Sequence, residues 1–197
     1  MKSISVILAH PYPESFNHAV FHQCINSLTR GGHTVYAHDL YMEHFNPLLS
    51  GVDLATDALP ADVAQYCDEL VASDGLVFIH PNWWGQPPAI LKGWIDRVVR
   101  NGLAFSFHDG DSGGGVPEGL LKGKVGIVFN TSNTPPERER NVFGDPLDII
   151  WKKCIFEFCG ITNSYRRMFC VVADSTKEQR SMWLGEVERT LALFFDN

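Results

Sequence analysis

Three short polar stretches hold the residue types from which a site for a phosphorylated, flat aromatic molecule can be built. The first, His10-Pro11-Tyr12-Pro13-Glu14-Ser15-Phe16-Asn17, follows an apolar run and leads directly into a helix-like segment. Ser15 and Asn17 offer hydroxyl and amide donors there, beside the free N–H groups and positive dipole end of a helix N-terminus, which together suit an anion. The same residues also suit an ordinary helix cap behind a proline-stiffened turn. The second stretch, Pro81-Asn82-Trp83-Trp84-Gly85-Gln86-Pro87-Pro88, puts two adjacent indoles in a stiff loop. Exposed indoles can stack on a flat ring such as an isoalloxazine, and turn amides can bond its heteroatoms; the alternative is that both pack into a core or a subunit interface. The third, Asn130-Thr131-Ser132-Asn133-Thr134, ends at Pro135-Pro136. Its side chains can hold the polar edge of such a ring and stabilise negative charge on it, although a plain polar turn has the same composition.

Other chemistries lack their markers. There is no G-x-G-x-x-G, no phosphate-binding G-x-x-x-x-G-K-[ST], no G-x-S-x-G and no H-E-x-x-H, which argues against Rossmann binding, P-loop chemistry, activated-serine hydrolysis and a catalytic zinc. His18 and His22 share a helix face without a third ligand nearby, so both read as surface or packing residues and no metal is expected. His10 stands apart because it closes the first apolar run. The five cysteines are odd in number and form no C-x-x-C pair, which fits buried thiols in a reducing cytoplasm better than disulfides or zinc. Glu137-Arg138-Glu139-Arg140 reads as a solvated lid face.

The elements that must position these stretches alternate along the chain. Apolar, β-branched runs recur at Ser3–Ala9, Thr34–His38, Gly75–His80, Val125–Asn130 and Met168–Val172, as in βαβ units around a parallel sheet. Helices are predicted from Ser15 or Asn17 to about Arg30, over Ala61–Ala72, Pro88–Arg100 and Asp145–Phe158, and from a capping box at Ser175-Thr176-Lys177-Glu178 to about Phe195. Tyr41–Leu59, Phe107–Gly119 and Thr131–Gly144 read as long irregular segments. The fold class is therefore α/β, an open five-stranded parallel sheet of flavodoxin-like order 2-1-3-4-5 with helices on both faces. In such a sheet ligands bind at the carboxyl ends of the strands, at the switch point between strands one and three. That topology brings the three polar loops to one edge.

The 197 residues suit one domain spanning 1–197, with 45% hydrophobic and 20% charged residues, as in ordinary globular chains. A net charge of −7 speaks against a nucleic-acid partner. The N-terminal apolar run is too short to span a bilayer and has no cleavage pattern, so a cytoplasmic protein without stable membrane insertion is expected.

The chain resembles the flavodoxin-like NAD(P)H:quinone oxidoreductases, the DT-diaphorase family with its bacterial relatives. The resemblance spans nearly the whole chain and is carried by H-x-x-x-x-S-F-N-x-A from His10 to Ala19, by Asp39-Leu40-Tyr41 with Phe45-Asn46-Pro47, by Pro81 through Arg97 with Ala89-Ile90-Leu91-Lys92-Gly93-Trp94, and by Cys159-Gly160. It implies a bound flavin, FAD or FMN, with the closeness of the first loop favouring FAD, and NAD(P)H as co-substrate. His10, Ser15, Phe16, Asn17 and Ala19 would then contact the flavin phosphate or pyrophosphate. Pro81, Asn82, Trp83 and Trp84 would line the ring, with Asn130, Thr131, Ser132 and Asn133 against it. The implied reaction moves hydride from nicotinamide to flavin N5, then two electrons to a quinone or similar small aromatic acceptor in ping-pong order. It also implies a homodimer with sites at the interface, for which Phe105, Phe107 and His108 are candidate closing residues.

Two departures stand out. The Tyr and His of the animal enzymes' loop after the fourth strand have no counterpart in Thr131–Gly144, so no catalytic residue is assigned. The segment between the second strand and second helix is also much shorter than in the animal enzymes, and it is there that part of an adenosine environment would lie. A flavodoxin-type electron carrier and a flavin-binding regulatory subunit of a membrane transporter are the rival readings.

Overall fold

The structure is a computed structural model that describes residues 1–55, 59–107, 115 and 117–196. In chain order its elements are β1 (Ser3–Leu8), α1 (Phe16–Arg30), β2 (Thr34–Asp39), α2 (Gly51–Ala55), α3 (Ala61–Ala72), β3 (Gly75–Pro81), α4 (Ala89–Val98), β4 (Phe105–Ser106), β5 (Glu118–Gly119), β6 (Val125–Ser132), α5 (Pro136–Phe143), α6 (Pro146–Ile149), a π-helical stretch Ile150–Glu157, β7 (Asn163–Cys170) and α7 (Lys177–Phe195).

Five strands make one parallel sheet in the order β2-β1-β3-β6-β7. With β6 and β7 as fourth and fifth strands, this is the flavodoxin-like order expected. β3 and β6 are buried along their full length because helices cover both faces, as parallel sheets require. On one face Ile4, Val6, Leu8, Val77, Ile79, Ile127 and Phe129 pack against α1 and α7 through Val20, Cys24, Trp183 and Leu191. On the other, Ile7, Leu76, Phe78 and Val128 pack against Tyr66, Leu91, Trp94, Trp151 and Phe156. Alternate residues of each central strand thus feed two separate cores.

Several segments differ from the sequence expectation. Thr131–Gly144 is not irregular: β6 runs on to Ser132, and α5 follows, closed by Gly144 in the left-handed conformation. The fifth strand lies at Asn163–Cys170 and not Met168–Val172, an edge strand whose half-buried Arg166 and Arg167 hide its apolar signal. The helix expected over Asp145–Phe158 turns π-helical after Ile149. Bonding i→i+5 brings residues five apart back to nearly one face, where an α-helix would separate them. Trp151 and Phe156 accordingly share the core with ring centroids 5.6 Å apart. A separate ribbon of β4 and β5 and the short α2 interrupt stretches read as loop. Cys24, Cys67 and Cys159 are buried as expected, but Cys154 is exposed, since it lies on the outer side of the π-helical stretch. His108, Gly113 and Gly114 lie outside the described residues.

The segment after β2 is fastened to α4. A Cβ on Gly93 would stand 2.3 Å from the Pro47 carbonyl oxygen, so only glycine permits this approach. Arg97, itself buried, donates to the Asn46 carbonyl at 2.8 Å and pairs with Asp53. This is what joins the Phe45-Asn46-Pro47 and Leu91-Lys92-Gly93-Trp94 motifs.

Candidate active site

A cleft of about 460 Å³ opens at the carboxyl ends of β1, β3 and β6 and is lined by His10, Ser15, Phe16, Asn17, Pro81, Asn82, Trp83, Thr131, Ser132 and Asn133, among others. Its first wall is the start of α1. Ser15 is the N-cap, with extended backbone and a side chain that accepts from the His18 N–H. Phe16 and Asn17 open the helix, so their N–H groups have no carbonyl one turn back. Nδ1 of His10 accepts from the Tyr12 N–H at 3.1 Å, which puts the proton of the neutral ring on Nε2. Burial holds the His10 pKa below its ordinary value.

Asn17 and Thr131 bond each other across the cleft floor, the Asn17 amide donating to Thr131 Oγ1 at 3.0 Å. Their side chains therefore brace the α1 loop against β6. The Pro81 loop is fixed from the same strand, since the Asn82 N–H donates to the Thr131 carbonyl at 2.6 Å. Backbone bonds in both directions between Trp83 and Gln86 then close a tight turn. At its tip Trp84 takes a left-handed backbone, φ 57°, and its side chain is fully exposed. For a bulky residue that conformation is strained.

Asn82 stands between this cleft and a second one. Its Oδ1 accepts from the Gly85 N–H at 3.0 Å, and its Nδ2 donates to Glu139 Oε1 at 2.8 Å. The second cleft, about 360 Å³, is lined by Asn82, Trp84, Gly85, Thr134, Arg138, Glu139, Phe143 and Pro146. Glu139, read from sequence as part of a solvated face, is 2% exposed: the Asn82 bond draws it inward while Glu137, Arg138 and Arg140 stay in water.

Beneath the Pro81 loop lies a buried polar layer. His80 donates from Nδ1 to the Pro81 carbonyl at 2.8 Å and accepts at Nε2 from the Trp151 indole at 2.9 Å. Burial lowers its pKa to about 4, so the ring is neutral with both nitrogens occupied. Beside it Asn130 accepts from Arg166 Nε at 2.9 Å, and Arg166 pairs with Asp145 and Asp148. The Asn130 Nδ2 has no hydrogen-bond partner among the described residues.

Of the thirteen residues singled out from sequence, ten line the first cleft and Trp84 lines the second. Ala19 and Asn130 line neither: Ala19 lies one turn into α1, and Asn130 is fully buried in β6. The first cleft also takes in Glu14, Thr134, Val172, Ala173 and Arg180. Arg180 donates to Ser175 Oγ at 2.8 Å and to the Val172 carbonyl at 3.1 Å. Its only sequence signal is a cation near the start of a helix, where the dipole disfavours one, and Lys177 carries the same signal without lining the cleft.

The donor set fits a phosphorylated flavin: unpaired helix N–H groups, Ser15 and the His10 Nε2–H at one end, uncovered indole surface at the other. Among the described residues no group of side chains could hold a metal ion, and no helix is long and apolar enough to cross a membrane.

Comparison with known proteins agrees with this geometry. The flavodoxin-like fold family matches residues 2–186. An uncharacterized NAD(P)H oxidoreductase of Haemophilus influenzae is 33% identical over 172 residues, 83% of this chain and 81% of that protein. Mouse ribosyldihydronicotinamide dehydrogenase (quinone) is 28% identical over 208 residues, 93% and 88% of the two chains. A Streptococcus mutans protein of known crystal structure is 32% identical with a TM-score of 0.83, covering 95% of this chain and 97% of that one. The chain belongs to the flavodoxin-like fold family and, within it, to the enzymes of NAD(P)H:quinone oxidoreductase type.

Proposed function

We propose that the protein binds FAD in the first cleft and uses NAD(P)H to reduce quinones or similar flat electrophiles by two electrons. The observation that carries this reading is one cleft with an anion-binding helix start on one wall and, on the other, a tight turn that presents the part-exposed Trp83, with the fully exposed Trp84 at its tip lining the adjoining cleft. His10, Ser15, Phe16 and Asn17 serve the phosphates in this reading, with Ala19 one turn behind them in α1. Pro81, Asn82 and Trp83, with Thr131, Ser132 and Asn133, serve the ring, while Trp84 reaches it from the adjoining cleft and the buried Asn130 supports the loop from within β6. FAD is preferred to FMN because the cleft runs on past the helix start to Val172, Ala173 and Arg180, room and a cation beyond what a single phosphate uses. The flavin supplies the hydride chemistry when bound, and the protein supplies placement and charge.

The chain's own polar groups have defined tasks in this scheme. The neutral His80 holds the Pro81 carbonyl, Asn82 fixes the turn that carries the indoles, and Glu139 fixes the Asn82 amide. A second copy of the chain closes the open side, where Trp84, Val142, Phe143 and Ile149 leave apolar surface exposed.

The test is an absorbance spectrum of the purified protein, mass analysis of the released cofactor, and anaerobic titration with NADPH. A yellow protein that releases FAD and bleaches promptly by two electrons is expected. Slow or absent bleaching would favour a flavodoxin-type carrier. A colourless protein whose melting temperature neither FAD nor FMN raises would defeat the proposal, since a ligand that binds the folded state must stabilise it.

A further inference from the structure

His18 lies just behind the phosphate end of the cleft without lining it. Its side chain is buried, and its two nitrogens are both engaged: Nδ1 lies 3.0 Å from Ser15 Oγ, and Nε2 lies 2.9 Å from Asp39 Oδ2. Asp39 comes from the end of β2 and is held in place as an acceptor, because its Oδ1 takes the N–H groups of Tyr41 and Met42. The other titratable neighbour is His10, from the loop after β1, edge-on at 6.2 Å between ring centroids.

The protons of this chain can be counted. An ionised Asp39 only accepts, so Nε2 of His18 carries a hydrogen in every state. In the neutral ring Nδ1 is then a bare acceptor, and it takes the hydroxyl hydrogen of Ser15. Ser15 already accepts the His18 N–H, so the neutral state leaves only a lone pair to face an anion in the cleft. In the imidazolium Nδ1–H donates to Ser15 Oγ instead. The Ser15 hydroxyl hydrogen is then released and can point into the cleft.

We propose that His18 is a positioning residue for the cofactor phosphate: it acts through Ser15, and phosphate binding draws one proton from solvent onto His18 Nδ1. The inference rests on the reading of the first cleft as a flavin site. It makes cofactor retention depend on pH through a residue that never touches the cofactor. Asp39 supports the charged ring, and burial, by lowering the His10 pKa, weakens the opposition from that neighbour.

Calorimetry of FAD binding to the apoprotein, run at pH 7.5 in buffers of different ionisation heat, reads the proton directly, because the phosphates of FAD are fully ionised there. Uptake approaching one proton is expected, with Kd rising by up to tenfold per pH unit toward alkaline pH. His18→Gln should bind without uptake and with a flat pH profile. Ser15→Ala keeps the His18–Asp39 pair but cuts the link, so it should bind more weakly and also without uptake; it decides the matter if His18→Gln does not fold. Equal uptake by wild type and Ser15→Ala, or a flat wild-type profile, overturns the inference and leaves the flavin reading intact. Failure to bind FAD or FMN at any pH defeats both.

Discussion

Trp84 concentrates two opposing demands in one residue. Its left-handed backbone is one that glycine adopts freely and a bulky side chain resists, and its indole gains nothing from burial. Trp84→Gly should therefore leave unfolding free energy unchanged or raise it by up to about 1 kcal/mol, read by urea denaturation, while weakening flavin binding roughly tenfold or more, as loss of a stacking partner does. A variant that keeps full flavin affinity would show that the indole is not a wall of the site. His80 gives a prediction of opposite kind. Its folded pKa of about 4 lies below the ordinary 6.5 because burial penalises the charge, so between those values the unfolded chain binds more protons. The contribution is complete above pH 6.5, is lost as pH falls, and levels off below about 4, roughly 3 kcal/mol in all. His80→Gln should flatten that part of the stability profile. His38 works the other way. Burial opposes its charge, but hydrogen bonds and attraction from Glu43 and Glu69 prevail and raise its pKa, so its stabilisation is present below pH 6.5 and is lost as pH rises through the raised value.

At the scale of elements, the docking of the Phe45–Ala55 segment on α4 depends on a missing side chain. Gly93→Ala would press a methyl into the Pro47 backbone, an overpacking that costs about 1–3 kcal/mol, and the expected result is a lower urea midpoint with an unchanged denaturant slope. An unchanged midpoint would mean that the segment shifts freely. The central strands β1, β3 and β6 were legible because burial on both faces makes them continuous apolar runs. β7 was displaced by five residues at its start because an edge strand carries Tyr165, Arg166 and Arg167, whose partners are side chains far along the chain. α5 was illegible for a related reason: Glu137-Arg138-Glu139-Arg140 has no apolar stripe, and what draws Glu139 inward is a single bond from Asn82, 57 positions away. The three site loops could be located from topology alone, whereas Val172 and Ala173 enter the cleft through N–H bonds to the Ser132 carbonyl and to Asn133 Oδ1, and Arg180 through the start of α7, which packs on α1 with the Trp183 and Phe16 ring centroids 5.5 Å apart.

For the whole molecule, a chain of 22.1 kDa that leaves Trp84 and Phe143 uncovered at its second cleft, and Val142 of α5 and Ile149 of α6 exposed as well, is expected to sediment at twice that mass. Val142→Asp should shift it toward the monomer and slow reduction by NADPH more than it weakens flavin binding. A wild-type monomer at micromolar concentration would refute the closure of the cleft by a second copy. The distribution of the indoles also gives the protein a built-in optical probe. Of its five tryptophans, Trp94, Trp151 and Trp183 lie in the cores, Trp83 is partly covered, and Trp84 alone stands fully in water. The long-wavelength edge of the intrinsic emission therefore reports chiefly on the cleft rim, so the proposed cofactor loading and pairing with a second copy would each be read there without a label, while the short-wavelength edge records unfolding.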